Sequence, residues 1–200
     1  MARMARRELL YDGCYAHIIS RSIRKIRLMR DDADFQMLNQ LLMHAKRRYG
    51  FRVHHYCLMQ THFHLVVSMP DVEAFSRAIQ FVKSQYCYHV HARYRLSGPV
   101  WRERFRALLI ENEPYLYVCG RYVENNPVKA GLVREAKGWK YSSWGFYHED
   151  RIDPLISRLD FWDRTAPVET GDDPQKFFEK GKVIGSPFFK FQFYRRMKQR

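Results

Sequence analysis

The chain has 200 residues, 46% hydrophobic and 16% aromatic, which is enough apolar material for one large domain or a domain with an appendage. Its 35 Lys and Arg against 21 Asp and Glu leave a net charge of +14, and the natural partner of such a surface is a polyanion, nucleic acid first. No apolar run approaches the roughly 20 residues of a membrane span, "MARMARRELL" lacks the apolar stretch of a signal peptide, and Cys14, Cys57, Cys87 and Cys119 form no Cys-x-x-Cys pair. A cytoplasmic protein with reduced, buried cysteines is expected.

In chain order, "CYAHIISRSI" (14–23) alternates polar and apolar residues and predicts a strand. "DFQMLNQLLMHAKRRYG" follows as a helix with an apolar stripe of Leu38, Leu41, Leu42 and Ala45, ended by Gly50. Residues 51–60 and 62–69 read as two strands of a hairpin turning near Gln60 and Thr61. A second helix over 72–94 carries Phe75, Ile79, Val82 and Tyr86 at helical spacing, and "LSGP" breaks it. "VWRERFRALLIE" (100–111) reads as a strand. Residues 111–127 read as a third helix, with Pro114 near its first turn and Pro127 as its stop. The order β-α-β-β-α-β-α predicts a ferredoxin-like α+β domain over 1–145, with an antiparallel sheet and helices on one face. Residues 146–200 form a basic, aromatic extension. Its "VETGDDPQK" is loop-like, and "KFFEKGKVIGSPFFKFQFYRRMKQR" shows no clear helical period.

"LMQTHFHLVV" (58–67) sets His62 and His64 two apart on a predicted strand, so both project from one face while Phe63, Leu65 and Val67 take the other. Two imidazoles side by side can hold one divalent metal. A bare His-x-His is more often a hydrogen-bonded strand pair, so a third group is needed. Other histidines are weaker candidates. His54 and His55 are adjacent and should face opposite ways; His89 and His91 diverge on a helix; His17 and His44 read as structural or surface residues. The third helix offers Tyr122 and Asn126, four apart and on one face. The Asn126 carbonyl oxygen suits Mg²⁺ or Mn²⁺ beside imidazoles. The Tyr122 phenol is a poor nucleophile at its free pKa near 10, and a neighbouring metal would polarise a target phosphate.

Together, "LMQTHFHLVV", "GPVWRERFRALLIENEPYLYVCGRYVENNPVKAGLV" (98–133) and "WKYSSW" (139–144) resemble the HUH-type single-tyrosine transposases, most closely the REP-associated tyrosine transposases. The family's His, hydrophobic, His triplet corresponds to His62, Phe63 and His64. Its nucleophile, a tyrosine shortly before Asn-Pro, corresponds to Tyr122, and its third metal ligand to Asn126. Relatives usually carry Pro-Asn before the first histidine, where this chain has Gln60-Thr61. The resemblance implies a metal-dependent strand transferase using Mg²⁺ or Mn²⁺. Tyr122 would attack single-stranded DNA beside a hairpin, leaving a 5′-phosphotyrosine and a free 3′-OH. The covalent link conserves the phosphodiester energy, so no nucleotide cofactor is implied, and the chain has no G-x-x-x-x-G-K-[ST] loop. The long C-terminal part resembles that of the REP-associated type and favours a monomer over a homodimer. The competing readings are a catalytically silent or domesticated DNA-hairpin binding protein, and a metal-dependent hydrolase that would leave Tyr122 and Asn126 unexplained.

Single-strand binding asks for cationic grooves and aromatic platforms. "WRERFR" offers Trp101, Arg102, Arg104 and Arg106, the three arginines sharing one face if the segment is a strand; a solvated edge strand defended by its charges has the same pattern. Arg21 and Arg24 follow the first strand, and Lys83 sits among tyrosines on the second helix. In the tail, Lys190, Arg195, Arg196, Lys198 and Arg200 could clamp a hairpin stem through its phosphates.

Overall fold

The structure is a computed structural model that describes residues 9–158 and 183–198. Strand β1 (Tyr15–Arg21) is followed by helix α1 (Asp32–Tyr49), the hairpin β2 (Arg52–Met59) and β3 (His62–Ser68), and helix α2 (Val72–Tyr94). Strand β4 (Arg106–Ile110), helix α3 (Glu113–Glu124), the single turn α4 (Asn126–Lys129), α5 (Trp144–His148), β5 (Val183–Ile184) and α6 (Pro187–Lys198) complete it. The sheet order is β2-β3-β1-β4-β5. Its first four strands pair antiparallel in the expected ferredoxin-like arrangement, and β5 joins β4 in parallel, making the sheet mixed.

Local chemistry accounts for the helix ends. Asp31, Asp71 and Asn112 accept the backbone N–H groups of Asp34, Ala74 and Tyr115 as N-caps. Gly50 closes α1 with a φ of 72°, a left-handed conformation that suits glycine. The β2–β3 hairpin turns on Gln60-Thr61, between the paired Met59 and His62. Neither turn residue takes positive φ, so no Asn-Gly is required. The turn is held from outside: Gln60 O accepts from Leu28 and Met29 N–H, and Thr61 O from Ser22 N–H.

The two sheet faces are distinct. Phe63 reaches Trp101, which packs beside Tyr86 of α2, so α1 and α2 cover that face. α3 crosses the other face over β2 and β3. Asp34, buried on α1, ties α1 to α2 by accepting from Arg93 (2.6 Å), His89 (2.9 Å) and Tyr94 (2.5 Å). Residues beyond 139 close the β2 edge. Leu58 N–H donates to Tyr141 O, Trp139 Nε1 to Leu58 O, and Tyr147, Leu155 and Ile156 enter the core.

Several expectations are corrected. β4 begins only at Arg106. Residues 101–104 bend, because Lys83 Nζ takes the carbonyls of Glu103 and Arg104 while Trp101 Nε1 donates to Lys83 O. The third helix stops at Glu124 rather than at Pro127. Asn125 leaves helical geometry, and Pro127 lies in the first turn of α4, where its missing N–H is harmless. A bulge between Val53 and His55 breaks the alternation of β2, so His54 bonds Ser68 Oγ and His55 stands opposite Val66, both on the α3 side. The tail forms α6, opened by Ser186 Oγ accepting from Phe189 N–H. Residues 1–8, the "VETGDDPQK" segment and Arg200 lie outside the described residues, and the side chains of Arg196 and Lys198 are likewise not described.

Candidate active site

Register brings the candidate residues together. Arg21 pairs with His62, Ile19 with His64 and His17 with Val66, while Cys57 and Met59 pair with His64 and His62 from the other side. Directly paired residues share a face, so His17, Arg21, His55, His62 and His64 all project beneath α3. Ile19 also pairs with Arg106, which therefore stands on this face too.

Both imidazoles of the pair are oriented through Nδ1. Thr61 Oγ1 bonds His62 Nδ1 at 2.9 Å, and His17 Nε2 bonds His64 Nδ1 at 2.8 Å. That leaves Nε2 of each ring for another partner. The Nε2 of His64 is buried without a hydrogen-bond partner among the described residues, which a metal ligand would explain. Burial, and then the charges of Arg106 and Arg21, push the His17 pKa down to about 3. Burial and Arg21 take His62 to about 4, and His64 is held well below its ordinary value by burial, His17, His62, Arg21 and Lys129. All three are therefore neutral at physiological pH, the form in which imidazole binds metal.

Among the described residues no three His, Cys, Asp or Glu side chains converge as a metal site. A third protein ligand to such an ion would have to be of another type. Asn126, buried at the start of α4, donates its amide nitrogen to the carbonyls of Tyr122 (3.0 Å) and Val123 (3.1 Å). Its side-chain oxygen is the atom left for a cation. The donor set thus fits a hard divalent ion with mixed imidazole and oxygen ligands.

Tyr122 is half-buried, and its ring meets the edge of His17 at 6.2 Å between centroids; His17 also stacks on His64 at 5.0 Å. Lys129 Nζ lies 3.8 Å from the centre of the Tyr122 ring. Between Tyr122 and Asn126, Glu124 points into the protein. It accepts from His55 Nδ1 (2.8 Å) and Ser143 Oγ (2.7 Å), with His148 Nε2 at 3.5 Å. Burial opposes its charge, but the bonds from His148, His55 and Ser143 outweigh that and hold its pKa at about 2.

The sequence-predicted DNA contacts divide between two regions. Arg21 and Arg106 border the histidines. Arg24 is exposed in the turn after β1, with a φ of 48°. Arg102 N–H donates to Arg21 O, but Arg102 and Arg104 do not share a strand with Arg106. Trp101, Lys83 and Arg104 instead line a cleft of about 620 Å³ with Phe105 on the α2 side. His17, the His55–Glu124 pair and Lys129 escaped the sequence reading. His64 lies 47 residues from His17, and Glu124 lies 69 from His55, so only strand register and helix seating join them.

The arrangement is a ferredoxin-like sheet that presents paired histidines under a tyrosine-bearing helix. Over residues 10–126 the chain matches the family model described as "Transposase IS200 like", and it belongs to that family. It is 30% identical to a provisionally named REP-associated tyrosine transposase of Haemophilus influenzae over 113 residues, 51% of this chain and 62% of that one, so it spans less than two thirds of that relative. It is 23% identical to the REP-associated tyrosine transposase of Escherichia coli K12 over 146 residues, 72% of this chain and 82% of that one. A solved REP-associated tyrosine transposase bound to a REP hairpin shares the fold, with a TM-score of 0.63 and 22% identity over 83% of this chain and 96% of that one.

Proposed function

We propose that the chain is a single-stranded DNA endonuclease and strand transferase that cleaves beside a hairpin, with Tyr122 as nucleophile. The observation that carries this reading is the contact of one imidazole, His17, with both the Tyr122 ring and His64. It sets the Tyr122 ring and the His64 imidazole against one shared side chain, which supports the reading. In the cleavage step the phenol oxygen bonds phosphorus as the phosphorus–O3′ bond breaks, and the phenol proton ends on the 3′-oxygen. The products are a 5′-phosphotyrosine and a free 3′-OH; attack by a 3′-OH on that link reverses the step and rejoins strands.

His62 and His64 through Nε2, and Asn126 through its side-chain oxygen, would hold Mg²⁺ or Mn²⁺, which when bound supplies Lewis-acid polarisation of the phosphate. Arg21 and Arg106 border that pair and would receive the flanking backbone. Arg24, Arg102, Arg104, Lys83 and Trp101 would extend the contact around the end of the sheet. A hairpin partner is supported by the complex formed by the structurally similar protein. We favour a monomer, with the active site completed within one chain.

The test is a labelled single-stranded hairpin incubated with protein and Mn²⁺ or Mg²⁺, then resolved on a denaturing gel. The expected result is a slow covalent band, lost with Tyr122→Phe and with His64→Ala. Tight hairpin binding without any band would favour a hairpin-binding protein without chemistry.

A further inference from the structure

From the sheet, Arg21 of β1 and Arg106 of β4 border the histidines. Lys129 approaches from the helical side. It lies seven residues after Tyr122 and three after Asn126, at the end of α4. The chain passes from α3 into α4 through Asn125, with Asn126 bonded back to the carbonyls of Tyr122 and Val123, so the two short helices stay in a fixed relation. That relation sets the Lys129 ammonium over the face of the Tyr122 ring, 3.8 Å from its centre.

An ammonium on an aromatic face is held by the ring quadrupole, more weakly than by a phosphate oxygen carrying full charge. Lys129 is exposed, on a flexible stem with rotatable donors. For Tyr122 to act as nucleophile, the scissile phosphate must come within about 3–3.5 Å of its oxygen, at the rim of the ring that the ammonium covers.

Resting on the nucleophile reading above, we propose that Lys129 is a further catalytic residue, one that moves from the Tyr122 ring to a non-bridging oxygen of the scissile phosphate. Its charge then meets the negative charge that builds on the phosphoryl oxygens during displacement. It takes no proton and forms no covalent bond. In the resting site it shields the ring and marks the place of the phosphate. The role is distinct from that of Arg21 and Arg106, which approach from the floor of the site.

The test combines Lys129→Met and Lys129→Arg with a chemical change in the DNA. Single-turnover rates of adduct formation are measured at saturating hairpin, on a normal scissile phosphate and on each methylphosphonate diastereomer, which lacks one charged oxygen. Lys129→Met is expected to slow adduct formation by about 10- to 100-fold on the normal link, with hairpin affinity and thermal midpoint little changed and with Lys129→Arg recovering most of the rate. On one diastereomer the Lys129→Met penalty should largely vanish, because the partner oxygen is already gone. A Lys129→Met protein as fast as wild type, or a penalty equally large on the normal link and both diastereomers, would overturn the role of Lys129 and leave the nucleophile reading intact. Absence of an adduct from wild-type protein would overturn both.

Discussion

His17 is the residue that changes most between sequence and structure. Read along the chain it is a lone strand histidine. Folded, it is fully buried, bonded to His64 and in contact with Tyr122. A partner that fixes a ligand ring through its other nitrogen is worth about 10- to 100-fold in metal affinity. His17→Ala should therefore weaken Mn²⁺ binding by about that factor in a calorimetric titration, and unchanged affinity would remove His17 from the site. That His62 and His64 share one strand face, by contrast, was legible, because the two-residue period of a strand needs no long-range information. The partner of His64 was not, since His17 is 47 positions away and nothing local signals that β1 and β3 are neighbours.

The seating of α3 is the element on which the site depends. Gly120 faces β2, and a Cβ added there would fall 2.5 Å from the His55 imidazole, which is buried and bonded to Glu124. Gly120→Ala must lift the helix or displace the ring. Overpacking of this kind costs about 1–3 kcal/mol, readable as a lowered thermal midpoint. Four residues on, Glu124 adds a pH dependence. Its pKa of about 2 in the fold lies below its ordinary 4.5, so its contribution, on the order of 3 kcal/mol, is fully present above pH 4.5 and is lost as pH falls towards 2. Glu124→Gln should lower stability near neutral pH and flatten the acid limb of the unfolding profile; an unchanged limb would show that Glu124 is not the group responsible. The helix itself was legible from Pro114 near its first turn. Its seating was not, because Glu124 reads as a surface acid until β2 and Ser143 are brought beside it. The tail helix α6 escaped for another reason: its aromatic residues fall on more than one side, and only the Ser186-Pro187 start signal marked it.

At the scale of the molecule, the charge of +14 favours a polyanionic partner but does not say where one would bind. The β-strand reading of residues 101–106 put three arginines on one face. The structure keeps Arg106 there and turns Arg104 towards the α2 cleft, because Lys83 and Trp101 tie that segment to a helix. Arg21→Ala and Arg106→Ala should each reduce the salt dependence of hairpin binding by about one phosphate contact, measured as the slope of log affinity against log salt. An unchanged slope would place the backbone elsewhere. The most direct test of the whole account is mass spectrometry of the covalent product. Protein incubated with hairpin DNA and Mn²⁺ is digested with protease and nuclease, and the nucleotide-bearing peptide is sequenced. The account predicts a nucleotide on Tyr122 through a 5′-phosphate and on none of the other twelve tyrosines among the thirteen. A nucleotide on another residue, or no covalent product from protein that binds the hairpin and the metal, would contradict it.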